Sequence, residues 1–596
     1  MERAESFEVP ESLKQVGVAA ALAAIIWFFF RNINLGYDFH WAVLYETNAT
    51  YKEVIGLWLI KGLILTVNIS VVSGFFALLL GTLFGIGRLS SFKPVYWFST
   101  CYVELFRNTP LLVQMFFWYF AFPMVLPEGI VSFLNSHNFE FTAAVISLSV
   151  YTGAYIAEVV RAGIQAVPYG HVEAATSSGL SYPQQLRFVV LPQAFRIIIP
   201  PLGSELLNNL KNSSLAMTIG VAELCWQSQQ IESFTFKGFE ATSAASAIYL
   251  ILCITISVLM NSINHHLKIG GAKDLTTFDK GLALLFRPLK WGLIGIGKVL
   301  AVLFAPLAAM MEPDTENPYA ATAFDAKVMP VLSLVGKGIS TVLILAFLAA
   351  IIKGLLGFNW GVIFANLKPM IFWSFPDSSG NELFWGLGGL SLSFLMAVIV
   401  ITVSFFIGIA VGLGRLSDNP VINTPSVIYI EIIRGNPLIM VIFWVYFFSP
   451  ILTGIQLDVF WSATIAFIIF SGAYLAEIIR AGVEALPPGQ FEAAKAAGFS
   501  YWQTMRYIIL PQALKIMIPA FVGQFITIFK DTSLAYIIGV FELTTVAQTI
   551  SNRLMFYPFE IYVAIGVLYF ICCYSMSIVA RRLEVRLAAG ARGMAG

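Results

Sequence analysis

Charge is scarce in this chain. Aspartate, glutamate, lysine and arginine make up 12% of its 596 residues, where a soluble domain carries about 25%. The two signs nearly cancel, with 35 basic against 34 acidic residues, which removes any electrostatic argument for nucleic acid as a partner. Cysteine is sparse as well. Cys101, Cys225, Cys253, Cys572 and Cys573 lie in or beside apolar stretches without paired metal-ligand spacing, so neither a metal site nor a disulfide framework is expected. No soluble stretch is long enough for an ATPase domain. Residues 292–298, GLIGIGK, fit the spacing of a nucleotide-binding loop. Val299 follows where a magnesium-binding Ser or Thr is needed, and no strand precedes, so the chain is expected to hold no nucleotide and to catalyse no reaction of its own. The first fifteen residues are mixed in charge, with more acidic than basic side chains, and the apolar run behind them ends in aromatics, so no removed signal peptide is expected. His265 and His266, at a helix end, are given no role.

What fills the chain is apolar sequence, 58% of all residues. Runs of about 20 apolar residues suffice to cross a bilayer as helices. They fall near 16–31, 59–86, 95–124, 142–166, 193–216 and 243–263, then near 332–352, 390–413, 422–448, 461–485, 512–535 and 560–580. The expected fold is all-α and polytopic, with about twelve transmembrane helices in a lipid bilayer.

The chain also repeats itself. Residues 153–224 align without gaps to 472–543 with roughly half the positions identical. Gly-Arg-Leu-Ser at 87–90 recurs at 414–417, and Glu-Leu-Phe-Arg-Asn-Thr-Pro from Glu104 recurs as Glu-Ile-Ile-Arg-Gly-Asn-Pro from Glu431. The expected organisation is an extra helix and outer segment over 1–50, a first module over 51–270, a linker over 271–331, an extra helix and outer segment over 332–389, and a second module over 390–596. Lys and Arg of the short loops, among them Arg88, Arg187, Lys268, Arg415, Lys495, Arg506 and Arg581, fall on one face, which the positive-inside rule makes the cytoplasm. Residues 281–311 are apolar but do not fit the crossing count, and Arg287, Lys290 and Lys298 suit them to a helix lying on the inner leaflet.

Ionisable residues within the spans are costly to bury and mark candidate sites. Arg107 and Arg434 stand inside their runs, each followed by a helix-breaking stretch that includes Asn108 and Pro110, or Asn436 and Pro437. Interruptions at matching places in two halves point to a solute path; the other reading is a packing kink in which each Arg pairs with Glu104 or Glu431 on its own helix. Lys211 and Lys530 lie roughly 28 Å of helix beyond Pro192 and Pro511, each before a Ser-Leu-Ala whose Ser is suited to cap a new half-helix. Either Lys can bind a carboxylate, pair with an acid such as Asp531, or extend to the outer surface. Asp531 faces Asn212 in the alignment, so the halves differ electrically. Glu158 with Arg161, and Glu477 with Arg480, are spaced three apart and are expected to form structural ion pairs.

Two polar breaks carry one pattern. Glu173, Ala174 and Ala175 are followed by Gly179 six residues after the Glu, and by Leu-Pro ending at Pro192; Glu492, Ala493, Ala494, Gly498 and Pro511 repeat that spacing. Alanine favours a short helix, glycine ends it, and proline suits a first turn. The pattern resembles the EAA loop of ABC importer permeases. Gly-Ala-Tyr-x-Ala-Glu, Leu-Pro-Gln-Ala and Lys-x-x-Ser-Leu-Ala narrow the resemblance to the polar amino acid uptake family, with two permease modules fused in one chain. The resemblance implies the type I importer fold and alternating access for polar L-amino acids. It implies coupling helices at both EAA loops, two cytoplasmic ABC ATPases that carry ATP and magnesium, an external solute-binding protein, and a place in the bacterial inner membrane. An ion-gradient-driven transporter with an internal repeat is the rival reading, which leaves the duplicated loops unexplained.

Overall fold

The computed structural model describes residues 37–48, 52–136, 138–267, 329–372 and 387–592, together with most of 16–28. The expected inner-leaflet helix over 281–311 and the loop at 292–298 lie outside the described residues. All extended elements that are described are helical, apart from two isolated bridge pairs.

Nine described helices are long and apolar enough to cross a membrane, among them Gly56–Gly87, Phe139–Gln165, Ser333–Leu356, Leu390–Arg415, Val459–Glu484 and Pro558–Leu583. The runs near 95–124 and 422–448 are not single straight spans. The first is Lys93–Arg107 followed by Leu111–Phe116. The second is Pro420–Gly435 and Leu438–Ile451, bent by 109°. Proline explains both breaks, since Pro110 and Pro437 have no N–H to give the preceding turn. Val16–Ile25 is a shorter apolar helix at the first expected span.

Burial identifies the centre. Phe139–Gln165 and Val459–Glu484 have 67% and 61% of their most apolar window buried, whereas no residue in the window of Ser333–Leu356 is buried. Each central helix is packed tightly by the first span of its module, and glycine makes that possible. A Cβ on Gly85 would meet Ala157 O at 2.8 Å, and one on Gly412 would meet Ala476 O at 2.7 Å. Ser333–Leu356 stands before the second module in sequence yet packs on the first, where Phe98 and Phe347 make an edge contact at 5.3 Å.

The helices that follow the two polar breaks also depart from expectation. Helical structure starts at Tyr182 and Tyr501, about ten residues before the proline, and passes through a π-helical turn at Leu186–Val190 and at Met505–Ile509. Pro192 and Pro511 then occupy the first turn of the α-helical stretch. The polar break is therefore a compact helical hairpin.

Because a backbone oxygen cannot move aside as a side chain can, Gly85→Val and Gly412→Val should each destabilise the chain by about 1–3 kcal/mol. A lowered melting temperature of the purified chain in detergent checks this, with Gly129→Val, at an open position, as the unaffected control.

Candidate functional site

Each broken helix frees backbone carbonyls, and within a membrane these must find new donors. In the first module the Gln114 side-chain amide donates to Phe106 O at 2.9 Å, supplying the bond that Pro110 cannot. The carbonyl of Arg107 is satisfied from the other module: Lys530 Nζ donates to it at 2.9 Å and to the Tyr155 hydroxyl at 2.8 Å. The reverse pair forms too, with Lys211 Nζ donating to Arg434 O at 3.2 Å and to the Tyr474 hydroxyl at 3.0 Å. Each lysine thus spans the boundary between modules to close the break in the opposite one.

This corrects three expectations. The lysines do not extend to the outer surface; Lys530 is only 4% exposed. Neither forms an ion pair with an acid among the described residues, and their charge rests on oxygen dipoles and on the rings of Tyr155 and Tyr474, 5.5 and 5.7 Å away. The following serines do not begin new half-helices. Ser214 and Ser533 donate back to Lys211 O and Lys530 O at 2.6 and 2.7 Å, and the chain tightens into 3-10 turns at Ser213–Ile219 and Thr532–Ile538.

Between the two crossings lies a cavity of about 240 Å³ lined by both modules. Its walls include Pro110, Tyr155, Lys211, Asn212 and Glu205 on one side and Asn436, Tyr474, Gln524, Lys530 and Asp531 on the other. The two sides are chemically unequal: Glu205 stands opposite Gln524, and Asn212 opposite Asp531. Asn436 lines this space, whereas Asn108 lies deeper, where its amide accepts from the Ser577 hydroxyl of the second module at 3.2 Å.

Arg107 and Arg434 do not pair with the glutamates of their own helices. Arg107 reaches Glu158 at 3.9 Å and Arg434 reaches Glu477 at 3.6 Å. Those two glutamates are hubs. Glu158 also takes Arg88 and Arg161, and Glu477 takes Arg415 at 3.1 Å and Arg480. The i,i+3 pairs do form, but each carboxylate gathers three guanidiniums, tying the broken helix and the first span to the central helix.

Each central helix leads into a short helix, Tyr169–Ser177 or Pro488–Ala496. Glu173 and Ala174 are exposed, as are Glu492 and Ala493, while Ala175 and Ala494 are buried against the hairpin. Gly179 and Gly498 end these helices at φ 76° and 79°. The next N–H folds back in both, from Leu180 to Ala175 O and from Phe499 to Ala494 O, at 3.1 Å. Each short helix follows the central helix that carries its module's hub, and Arg581, at the end of the last span of the second module, reaches Glu104 beside the first hub at 3.0 Å, which draws the hub ends of the two modules together.

Sequence reasoning missed Tyr155, Tyr474, Glu205 and the buried caps Glu223 and Glu542. The tyrosines were visible in the repeated Gly-Ala-Tyr. Each buried glutamate accepts two backbone N–H bonds at the start of its helix, Cys225 and Trp226 in one module and Thr544 and Thr545 in the other. Their recurrence at matched positions was the available signal.

Removing a lysine leaves a carbonyl and a phenol without their shared donor, a loss of about 1–3 kcal/mol. Lys530→Met should lower the melting temperature more than Lys211→Met, because Lys211 is only partly buried; thermal unfolding of both variants measures the difference.

Comparison with known proteins places this geometry. A family model described as "Binding-protein-dependent transport system inner membrane component" matches residues 77–268 and again 404–589. The chain is 34% identical over 242 residues to the glutamate/aspartate import permease protein GltJ of Escherichia coli K12, covering 39% of this chain and 97% of that protein. It is 42% identical over 200 residues to the probable glutamine ABC transporter permease protein GlnP of Bacillus subtilis, covering 33% of this chain and 91% of that one. A crystal structure of an amino acid ABC transporter with histidines aligns at 33% identity and a TM-score of 0.31, over 33% of this chain and 92% of that chain. With one module after the other matched over most of its length, the chain belongs to the family of binding-protein-dependent transport system inner membrane components, as a multi-pass membrane protein carrying that component twice.

Proposed function

We propose that this chain is the complete membrane-spanning pair of an ATP-driven importer of polar L-amino acids, with each module doing the work of one permease subunit. The observation that carries the reading is the cavity shared by both modules, closed by a lysine from each. A path built at such a boundary opens and shuts when the modules move relative to one another.

The two short surface helices are the places where that motion enters. Their exposed Glu-Ala faces suit docking to two cytoplasmic ATPase subunits, which carry the ATP and magnesium. The arginine hubs join each surface helix, through its central helix, to the broken helix that walls the cavity. In the cavity Lys211 and Lys530 serve the framework, leaving Asn212, Asn436, Glu205 and Asp531 to meet the solute. A solute-binding protein outside delivers it, and the loaded form must bind one of the two states better to shift the balance between them.

Gly179 and Gly498 give the test. A side chain at positive φ costs about 1–2 kcal/mol, enough to displace the end of a helix held by few contacts. Gly179→Leu with Gly498→Leu should abolish amino acid uptake by the complete transporter in proteoliposomes while the chain still inserts and purifies. Uptake in the unaltered transporter should cease on ATP depletion and survive a proton or sodium ionophore; the opposite pattern would establish the gradient-driven alternative.

A further inference from the structure

The inner ends of the spans enclose a second cavity, of about 660 Å³. It shares Tyr155, Thr527 and Lys530 with the central one as a common wall, so the two cavities are neighbours along the boundary between the modules. Its walls carry five cations, Arg88, Arg107, Arg161, Lys530 and Arg581, but only two carboxylates, Glu104 and Glu158.

The excess is peculiar to this side. With the framework lysines Lys530 and Lys211 set aside, four arginines meet two carboxylates here, whereas around the hub of the second module Arg415, Arg434 and Arg480 meet Glu431, Glu477 and Glu484, three against three. Two sequence differences account for the contrast. Gln165 stands where the second module has Glu484, and it accepts from Arg161 at 2.5 Å without adding a negative charge. Arg581, from the last span of the second module, reaches Glu104 at 3.0 Å, whereas the matching residue in the first module is Asn261.

Guanidiniums bind carboxylates through paired, charge-assisted hydrogen bonds, and half-buried charges are screened by salt less than those in open water. We propose that this inner vestibule is an exit site for acidic amino acids, in which the surplus guanidiniums take the side-chain carboxylate. The chain therefore passes anionic and neutral amino acids and disfavours cationic ones. This rests on the amino acid reading above and adds the charge class to it.

The test is direct binding to the full chain in nanodiscs, away from the selectivity of any external binding protein. Radiolabelled L-glutamate is displaced by unlabelled L-glutamate or L-arginine. Glutamate should be at least about tenfold more effective, and added salt should narrow the gap. Gln165→Glu with Arg581→Gln gives this side the three-against-three balance of the other, and should bring the two ligands within about threefold. Gln165→Glu alone copies a pair that the second module already builds, so it folds even where the double variant does not, and should narrow the gap part of the way. Failure of glutamate to bind, an unaltered chain that favours arginine, or a preference unmoved by either variant would overturn the proposal. Uptake that depends on ATP but shows no such preference would sink this inference and leave the permease reading intact. Charge-selective binding without ATP-driven uptake would do the reverse.

Discussion

The structure depends on one exchange: a lysine of each module completes the backbone of a broken helix in the other. A carbonyl left open where a helix breaks is costly in a low-dielectric interior, and burying an ammonium is costlier still. Each offsets the other here, with a tyrosine hydroxyl as the further acceptor for the ammonium. The arrangement is reciprocal, so neither module holds a fully satisfied broken helix alone. The cavity sits between the two exchanges, and polar chemistry gathers there because the framework already requires polar groups at that depth.

The arginine hubs extend the same logic toward the inner face. One glutamate on each central helix collects guanidiniums from the first span, the broken helix and its own following turn. A half-buried carboxylate that meets three partners fixes their relative positions more firmly than three separate pairs would. The glycines that let the first span approach within backbone contact serve the same end by packing. Each central helix is thus gripped by close van der Waals contact along one length and by charge at its inner end.

Much of this was legible in the sequence, and the limits have physical causes. Hydropathy located the spans because a bilayer demands a fixed length of apolar helix, and the repeat exposed the two modules because identical spacing survives in the Glu-Ala-Ala and Gly-Ala-Tyr stretches. Arg107, Arg434, Lys211 and Lys530 stood out because charge within a span is rare. Their partners did not stand out. Arg107 has Glu104 one turn away yet pairs with Glu158, and Lys530 passes over its neighbour Asp531 for a carbonyl 423 residues distant in the chain. Spacing reports which residues share a helix face and is silent on which face another helix offers. The π-helical turns were hidden for a similar reason, since no residue type marks one.

The helix Ser333–Leu356 has a further consequence. By chain order it opens the second half, but its aromatic contact is with the first, at Phe98. The polypeptide thus stitches across its own seam. A protease nick between residues 268 and 328 would yield two fragments that remain hooked together, one clasping the other by a borrowed helix as well as by the lysines.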